Sequence, residues 1–198
     1  MSVDIAQVKR LKDLTGVGLT DAKAALEASN GNFDQALKEM RAKGLTKAEK
    51  RGERQATAGV IGSYNHDNRI GVIVEINCET DFVARNEIFT NMVKDVAMHI
   101  AASNPEFLSQ EQVPANVLMQ IENELRDKLI SEGKPKDMVD KILKGQLAKY
   151  FQERCLLEQP FVKNPDISVG EYVKEHNARL GENIVVRRFC RLALGEVE

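Results

Sequence analysis

Residues 57–79 restrict the fold most strongly, because apolar and polar residues alternate there with the period-two pattern of β-strands. The alternation begins at "AGVIGSYN", is interrupted by "HDN", and resumes over 70–78. Two alternating runs joined by a short polar turn predict a β-hairpin. One face of its second strand is expected to be buried and carries Ile70, Val72, Val74, Ile76 and Cys78.

Helical periodicity follows the hairpin and predicts the elements that cover it. Residues 86–102 form one amphipathic helix by pattern, with Asn86 as its N-cap. A second helix is predicted to begin at Asn116 and end at Gly133, and a third begins near Pro135. The short "SEGKPK" segment between the second and third helices predicts an antiparallel helix pair.

The C-terminal part is predicted to return to the sheet. A loop containing Pro160 and Pro165 leads to Ser168, a candidate N-cap for another helix. The last segment, "NIVVRRFCRLALGE", alternates and predicts a third strand. Strands before and after a run of helices indicate an α+β fold with a small antiparallel sheet.

The N-terminal region has a different character. Residues 1–44 predict three short helices that form a compact bundle, with the final helix ending at Gly44. The first helix has an apolar stripe of Ile5, Val8, Leu11 and Leu14. Thr20 is the predicted N-cap of the second, and "NGN" at 30–32 separates the second from the third. Residues 45–56 are a charged linker, which leaves 57–198 as the core domain.

Composition argues against several classes of function. The 28 Lys and Arg residues against 30 Asp and Glu give a net charge of −2, so no basic field attracts nucleic acid directly. No apolar run has the length of a membrane span, and no signal segment is recognisable, which predicts a cytoplasmic protein without membrane contact.

Sequence motifs for chemistry are scarce. The three cysteines and three histidines lie at no metal-ligand spacing, and phosphate-binding and nucleophile motifs are missing from the sequence. Cys78 could be a nucleophile, but its phase with the buried strand face favours a structural thiol. We therefore expect a binding protein without cofactor or metal, rather than an enzyme.

The segment "CETDFVARNE" leaves two interpretations open. A phenylalanine, Phe82, follows an acidic stretch where a strand ends and a helix is about to begin. It is either a core residue at the junction or an exposed side chain directed at a partner. Glu79 and Asp81 could suggest paired carboxylates, although no base or metal ligand accompanies them in the sequence.

Several motifs together resemble the bacterial elongation factor Ts family. "VKRLKDLTGVGLTDAKAALEASNGNFDQALKEMRAKG" is similar to its ubiquitin-associated (UBA)-like N-terminal domain, and "INCETDFVARNEIF" resembles its TDFV signature. "GKPKDMVDKIL", "EQPFVKNPDISVGEYVKEHN" and "IVVRRFCRLALGE" continue the resemblance in order. Length and order resemble the short form of the family. Leu19 and Thr20 depart from its pattern, because methionines are frequent at those positions.

The resemblance implies a guanine-nucleotide exchange factor for elongation factor Tu, the GTPase that delivers aminoacyl-tRNA. By the same resemblance, Thr80, Asp81, Phe82 and Val83 form the element that disturbs the magnesium and phosphate site. The implied contacts of the N-terminal domain are Lys12, Leu19, Thr20 and Lys23. From sequence alone the two lysines could equally be ordinary solvated residues, and Leu19 could pack within the bundle.

Two further hypotheses accompany the resemblance. Short-form members can form homodimers, so Cys190 on the predicted last strand is a possible dimer contact, although a disulfide in the cytosol would be unusual. The main alternative function is an adaptor that binds a partner without affecting its nucleotide. An RNA chaperone is a more distant alternative that the charge disfavours.

Overall fold

A computed structural model describes residues 4–15, 18–40 and 54–196 of the chain. Most of the predicted linker and its preceding Gly44 lie outside these residues. The helices are α1 (Ile5–Thr15), α2 (Leu19–Ala28), α3 (33–40), α4 (Asp81–Ala84), α5 (Glu87–Ser103), α6 (Ala115–Ser131), α7 (Lys136–Arg154) and α8 (Val169–Leu180). The strands are β1 (Ala58–His66), β2 (Ile70–Cys78), β3 (Pro160–Phe161), β4 (Asn164–Ser168) and β5 (Val185–Ala193).

The three N-terminal helices enclose an apolar core of their own. Its buried side chains are Val8, Leu11, Ala22, Ala25, Leu26, Ala36 and Met40. Asn30 and Gly31 have left-handed backbones with φ of 51° and 81°, which confirms the predicted break between α2 and α3.

Two sequence predictions for these helices are wrong. Gly18, not Thr20, occupies the N-cap of α2, and Thr20 lies inside the first helical turn. Ile5 and Leu14 lie on the predicted stripe but are exposed, because the buried seam of α1 is narrow and centres on Val8 and Leu11.

The central sheet has the strand order β1-β2-β5, with both pairings antiparallel. The turn between the paired residues His66 and Ile70 spans residues 67–69. Asp67 and Asn68 have positive φ, at 50° and 56°, as the two central residues of a type I′ turn do, and the amide of Arg69 donates to the carbonyl of His66 at 2.9 Å. The predicted inward face of β2 is confirmed, since Val72, Val74, Ile76 and Cys78 are buried.

Helix α5 covers the inner face of this sheet. Asn86 caps it as predicted, because its side-chain oxygen accepts a hydrogen bond from the amide of Ile88 at 2.8 Å. A side chain at Gly62 on β1 would place its Cβ 2.3 Å from Val93 of α5, so glycine permits this close approach. The buried residues of α5 that form the core with the sheet include Phe89, Met92, Val93, Val96, Ala97 and Ile100.

Helices α6 and α7 form the predicted helix pair. A small apolar cluster of Leu129, Val139 and Leu143 joins them, and Arg126 of α6 binds Asp140 of α7 at 2.9 Å. The predicted cap at Asn116 is wrong: α6 begins earlier, after Pro114, because proline presets the backbone that precedes a first turn.

The segment predicted as a loop around Pro160 and Pro165 instead contains the short antiparallel pair β3–β4. Ser168 then caps α8 as predicted, in a capping box with Glu171. Because β5 returns beside β2 after this run of helices, the α+β class with a small antiparallel sheet is confirmed.

Candidate functional site

The chain leaves β2 at Cys78 and enters α4 through Thr80. Thr80 is the N-cap of α4, and its hydroxyl accepts a hydrogen bond from the amide of Val83 at 3.4 Å. The thiol of Cys78 donates to the carbonyl of Thr80 at 3.1 Å. Burial, followed by the nearby Glu182 carboxylate, raises the pKa of Cys78 to about 11. Cys78 is therefore a neutral thiol that supports the junction, which agrees with the structural interpretation of this residue.

The four residues Thr80–Val83 separate into two that hold the segment and two that project from it. Val83 packs against the main core, and Thr80 caps the helix. Phe82, by contrast, is 82% exposed. Asp81 is exposed beside it. Its carboxylate oxygen Oδ2 lies 3.3 Å from Nη2 of Arg85, an exposed residue one helical turn further along the chain. The structure therefore excludes Phe82 as a core residue of the free chain.

Glu79 and Asp81 do not form a carboxylate pair. Glu79 points back into the protein, where it accepts a hydrogen bond from the amide of Asn183 at 2.7 Å and lies 3.6 Å from Arg54. Asp81 points outward. Within residues 4–15, 18–40 and 54–196, no group of His, Cys, Asp or Glu side chains is arranged to hold a metal ion.

Glu182 is a residue of this site that sequence reasoning missed. It follows Gly181, which ends α8 with a left-handed backbone at φ 78°. Its carboxylate accepts three hydrogen bonds, from the amides of Glu79 and Thr80 at 3.0 and 3.1 Å and from the Thr80 hydroxyl at 2.6 Å. Because the partners are 102 and 103 residues apart, no local pattern could have indicated this contact.

The four N-terminal candidates surround the connection between α1 and α2. Lys12 lies in the last turn of α1, and Leu19 and Thr20 lie in the first turn of α2. Lys23 is one turn further along α2, on the same face as Leu19, and pairs with Glu27 at 3.8 Å. All four side chains are exposed, so none of them stabilises the bundle through burial.

Comparison with known proteins identifies the family. The family model described as elongation factor TS matches residues 9–196. The chain belongs to the elongation factor Ts family. Three relatives are each named elongation factor Ts. The protein from Geobacter sulfurreducens is 49% identical, with 99% of this chain and 91% of the relative aligned. That from Thermodesulfovibrio yellowstonii is 45% identical, with 100% and 99% aligned, and that from Carboxydothermus hydrogenoformans is 50% identical, with 96% and 88% aligned.

The match to the elongation factor Ts family covers both the N-terminal helices and the Thr80–Val83 segment. The resemblance deduced from the motifs is thereby confirmed, and the chain is a translation elongation factor by family. In the described part of the chain, every helix is too short or too polar to span a bilayer.

Cys190 lies on β5, an edge strand of the central sheet, directly opposite Ile73. All three cysteines are free, and Cys190 is the one that is exposed. The outer face of the sheet around it carries three exposed apolar side chains, Ile61, Ile73 and Leu192, which are between 56% and 65% exposed. The ion pair between Glu75 and Arg188, at 2.7 Å, lies beside them on the same face. The role of Cys190 in dimerisation stays a prediction.

Proposed function

We propose that this chain binds elongation factor Tu in its GDP form, disturbs the magnesium and phosphate site, and so promotes GDP release. Membership in the elongation factor Ts family supports the partner and the reaction. The observation that carries the proposal is Phe82, a large apolar side chain that is 82% exposed on a segment fixed at both ends. An exposed aromatic ring on a fixed support is suited to insertion into a partner.

Phe82 is proposed to enter an apolar crevice of the GTPase. Burial of one such side chain contributes about 1.5–3 kcal/mol. The short helix α4 fixes the direction of the ring, since Thr80 caps its start and Val83 packs on the core. Little conformational freedom of the backbone is then lost when the ring is buried in the complex.

Asp81 is proposed to act on the segment of the GTPase that orients magnesium and its waters. Magnesium requires a nearly ideal octahedral shell and tolerates little distortion. The ion pair between Asp81 and Arg85 is on the surface, where such pairs contribute at most about 1 kcal/mol. The Asp81 carboxylate can therefore exchange this partner for groups of the GTPase, after which the phosphates of GDP are less well compensated.

One ring is insufficient for fast exchange. An acceleration of ~10⁴-fold requires a barrier lower by about 5.5 kcal/mol, at ~1.36 kcal/mol per tenfold. Phe82 cannot supply this and also offset the cost of association. A second contact is needed, and we propose the exposed residues Lys12, Leu19, Thr20 and Lys23. Binding there makes insertion at the nucleotide site effectively intramolecular.

The proposed reaction is a binding equilibrium without covalent chemistry. If the chain weakens GDP binding, then GDP must weaken binding of the chain by the same factor. Entry of GTP consequently releases the chain, which can act on another molecule of elongation factor Tu. This reciprocity distinguishes an exchange factor from an adaptor that leaves the nucleotide in place.

The test is a nucleotide release experiment. Elongation factor Tu loaded with fluorescent GDP is mixed with excess GTP and the chain, and the loss of fluorescence is followed. We expect substoichiometric chain to accelerate release, and Phe82→Ala to reduce kcat/KM by about 10- to 100-fold, the equivalent of burying one ring. Binding without acceleration, even at stoichiometric chain, would support the adaptor instead.

Met119→Ala is the matched control. Met119 is another large apolar residue, 60% exposed, on α6. The substitution Met119→Ala removes exposed apolar surface but leaves Thr80–Val83 and the N-terminal candidates unchanged. An equal loss of exchange in Phe82→Ala and Met119→Ala would show that Phe82 has no specific role.

A further inference from the structure

We infer that Glu182 is a positioning residue that holds the Thr80–Val83 segment in the orientation needed for nucleotide release. This inference rests on the proposed exchange function. Glu182 does not itself reach the exposed surface formed by Asp81 and Phe82. It acts through Thr80 and the backbone of Glu79, which connect that surface to the end of α8.

The hydrogen bonds of Glu182 fix the junction at three points. One carboxylate oxygen, Oε2, accepts from the amides of Glu79 and Thr80, and the other, Oε1, accepts from the Thr80 hydroxyl. Hydrogen bonds to an ionised acceptor are stronger than those between neutral groups. Both carboxylate oxygens are thus engaged by donors of the segment, as expected for a group that orients a loop rather than one that binds a ligand.

The contact is reciprocal, which makes the arrangement rigid. While Glu182 accepts from the strand end, the carboxylate of Glu79 accepts from the backbone amide of Asn183 at 2.7 Å. Two adjacent residues on one segment therefore bind two adjacent residues on the other. Paired contacts of this kind oppose rotation as well as separation of the two segments.

The support on the Asn183 side extends to Arg54, at the C-terminal end of the predicted linker. The amide nitrogen of the Asn183 side chain donates to the carbonyl of Arg54 at 2.8 Å, and Asn183 is buried. Asn183, whose backbone amide donates to Glu79, is thus itself held in place by a second hydrogen bond. Glu182 is held between this fixed residue and Gly181, where α8 ends, so its carboxylate has a stable base.

The placement of Glu182 explains why Phe82 can project without being disordered. No apolar contact within the described residues buries the ring, so its direction depends on the backbone of α4. That backbone begins at Thr80, where the Glu182 bonds converge. Without Glu182, the amides of Glu79 and Thr80 lose their acceptor, and only a fraction of the molecules keeps the competent orientation. A process that requires this orientation slows in proportion to that fraction.

Glu182→Ala tests the inference directly. We expect kcat for GDP release to fall at least about tenfold, since a single one of the three lost charge-assisted hydrogen bonds is equivalent to about that factor, while KM changes less than about threefold. KM is expected to be less sensitive because the N-terminal contacts remain. Hydrogen exchange of the Thr80 amide, measured by NMR, should accelerate at least about tenfold in the variant.

Three further variants separate positioning from general stability. Glu171→Ala removes another glutamate that accepts a backbone amide, in the capping box of α8, away from Thr80. Thr80→Val removes the hydroxyl that binds Glu182 and also caps α4, whereas Thr80→Ser keeps both contacts. We expect Thr80→Ser to retain kcat and Thr80→Val to lose it. In the double variant that combines Thr80→Val with Glu182→Ala, the fold-reduction in kcat should be smaller than the product of the two single fold-reductions.

The outcomes distinguish this inference from the proposed function. If the unmodified chain does not accelerate GDP release, the proposed function fails, and the role of Glu182 in exchange fails with it. If the unmodified chain is active and Glu182→Ala keeps its kcat, only the inference about Glu182 is overturned. The inference would also be overturned if Glu182→Ala and Glu171→Ala lowered the free energy of unfolding equally and lowered kcat equally. Should Glu182→Ala not fold, Glu182→Gln decides the question, because it keeps the size of the side chain but replaces one accepting carboxylate oxygen with an amide donor; an unchanged kcat in Glu182→Gln would then overturn the inference.

Discussion

Phe82 and Val83 are neighbours in the chain, yet their side chains lie in different environments. Phe82 is exposed, whereas Val83 packs against the core beneath α4. We expect Phe82→Ala to change the free energy of unfolding by less than about 0.5 kcal/mol, as is usual for surface positions. Val83→Ala should cost about 1 kcal/mol, because it removes packed methyl groups. Urea unfolding of the two variants checks this, and equal losses of stability would contradict the separation.

His99 is fully buried, and its hydrogen bonds define its protonation. Its Nδ1 accepts from the amide of Val162 at 3.2 Å, so Nε2 carries the proton and donates to Gln159 at 2.9 Å. Burial lowers the pKa of His99, and of His176, below the usual 6.5. The neutral ring is therefore the form that the folded protein prefers.

This lowered pKa gives the stability a definite dependence on pH. Below pH 6.5 the unfolded chain binds a proton at His99 that the folded chain resists, so the stabilisation is present above that pH and is lost as the pH falls. We expect the free energy of unfolding to decrease from about pH 7.5 to about pH 5.5. The decrease should be smaller in His99→Gln, with exposed His66→Gln as the control. An identical decrease in all three proteins would contradict the assignment.

At the scale of elements, local patterns predicted what local interactions decide. The alternation over 70–78 gave the buried face of β2, and Asn86 and Ser168 cap the helices expected of them. The caps at Thr20 and Asn116 failed because a glycine and a proline upstream already start those helices. Strands β3 and β4 were missed since their prolines are typical of loops.

The candidate site was less predictable than the elements that carry it. Periodicity could place the end of β2 but not the direction of Phe82, which we infer to depend on the anchoring of Thr80 by Glu182. That contact joins residues 102 positions apart, so only the folded chain reveals it. The family resemblance supplied the exposed interpretation of Phe82, and the fold supplied its physical cause.

The outer face of the sheet gives a prediction about dimers. Ile61, Ile73, Leu192 and Cys190 lie on the side opposite α5, beside the ion pair of Glu75 and Arg188. Burial of the exposed apolar side chains of this face would favour association with a second copy. We propose that packing of this face, rather than a disulfide, joins the two chains. In sedimentation under reducing conditions, Cys190→Ser should remain dimeric and Ile73→Lys should become monomeric. Met119→Lys on α6 is the control, and a monomeric unmodified chain would end this hypothesis.

At the scale of the whole molecule, the described residues form separate apolar cores at the two ends of the predicted linker. One core joins α1, α2 and α3, and another joins the sheet with α5 and α8. We retain the division into 1–44, 45–56 and 57–198 as a proposal. Such an arrangement allows one part to hold the partner while the other acts on the nucleotide site.

This division of roles predicts that substitutions in the two parts change different kinetic parameters, KM in the N-terminal helices and kcat at Phe82. Leu19→Ala removes exposed apolar surface from the proposed N-terminal contact and should raise KM about fivefold, with kcat nearly unchanged, because it weakens binding before and during release alike. Phe82→Ala should lower kcat, since the ring is proposed to act mainly when the nucleotide leaves. Nucleotide release measured over a range of chain concentrations separates the two parameters.

Ile5→Ala provides the control for the N-terminal contact. Ile5 is an exposed apolar residue of the same bundle, at the end of α1 away from the α1–α2 connection. If the contact centres on that connection, Ile5→Ala leaves KM unchanged while Leu19→Ala raises it. A combined Leu19→Ala and Phe82→Ala variant should then show both changes at once, because the two sites affect different steps. Loss of kcat in Leu19→Ala alone would instead mean that the two parts act as one surface.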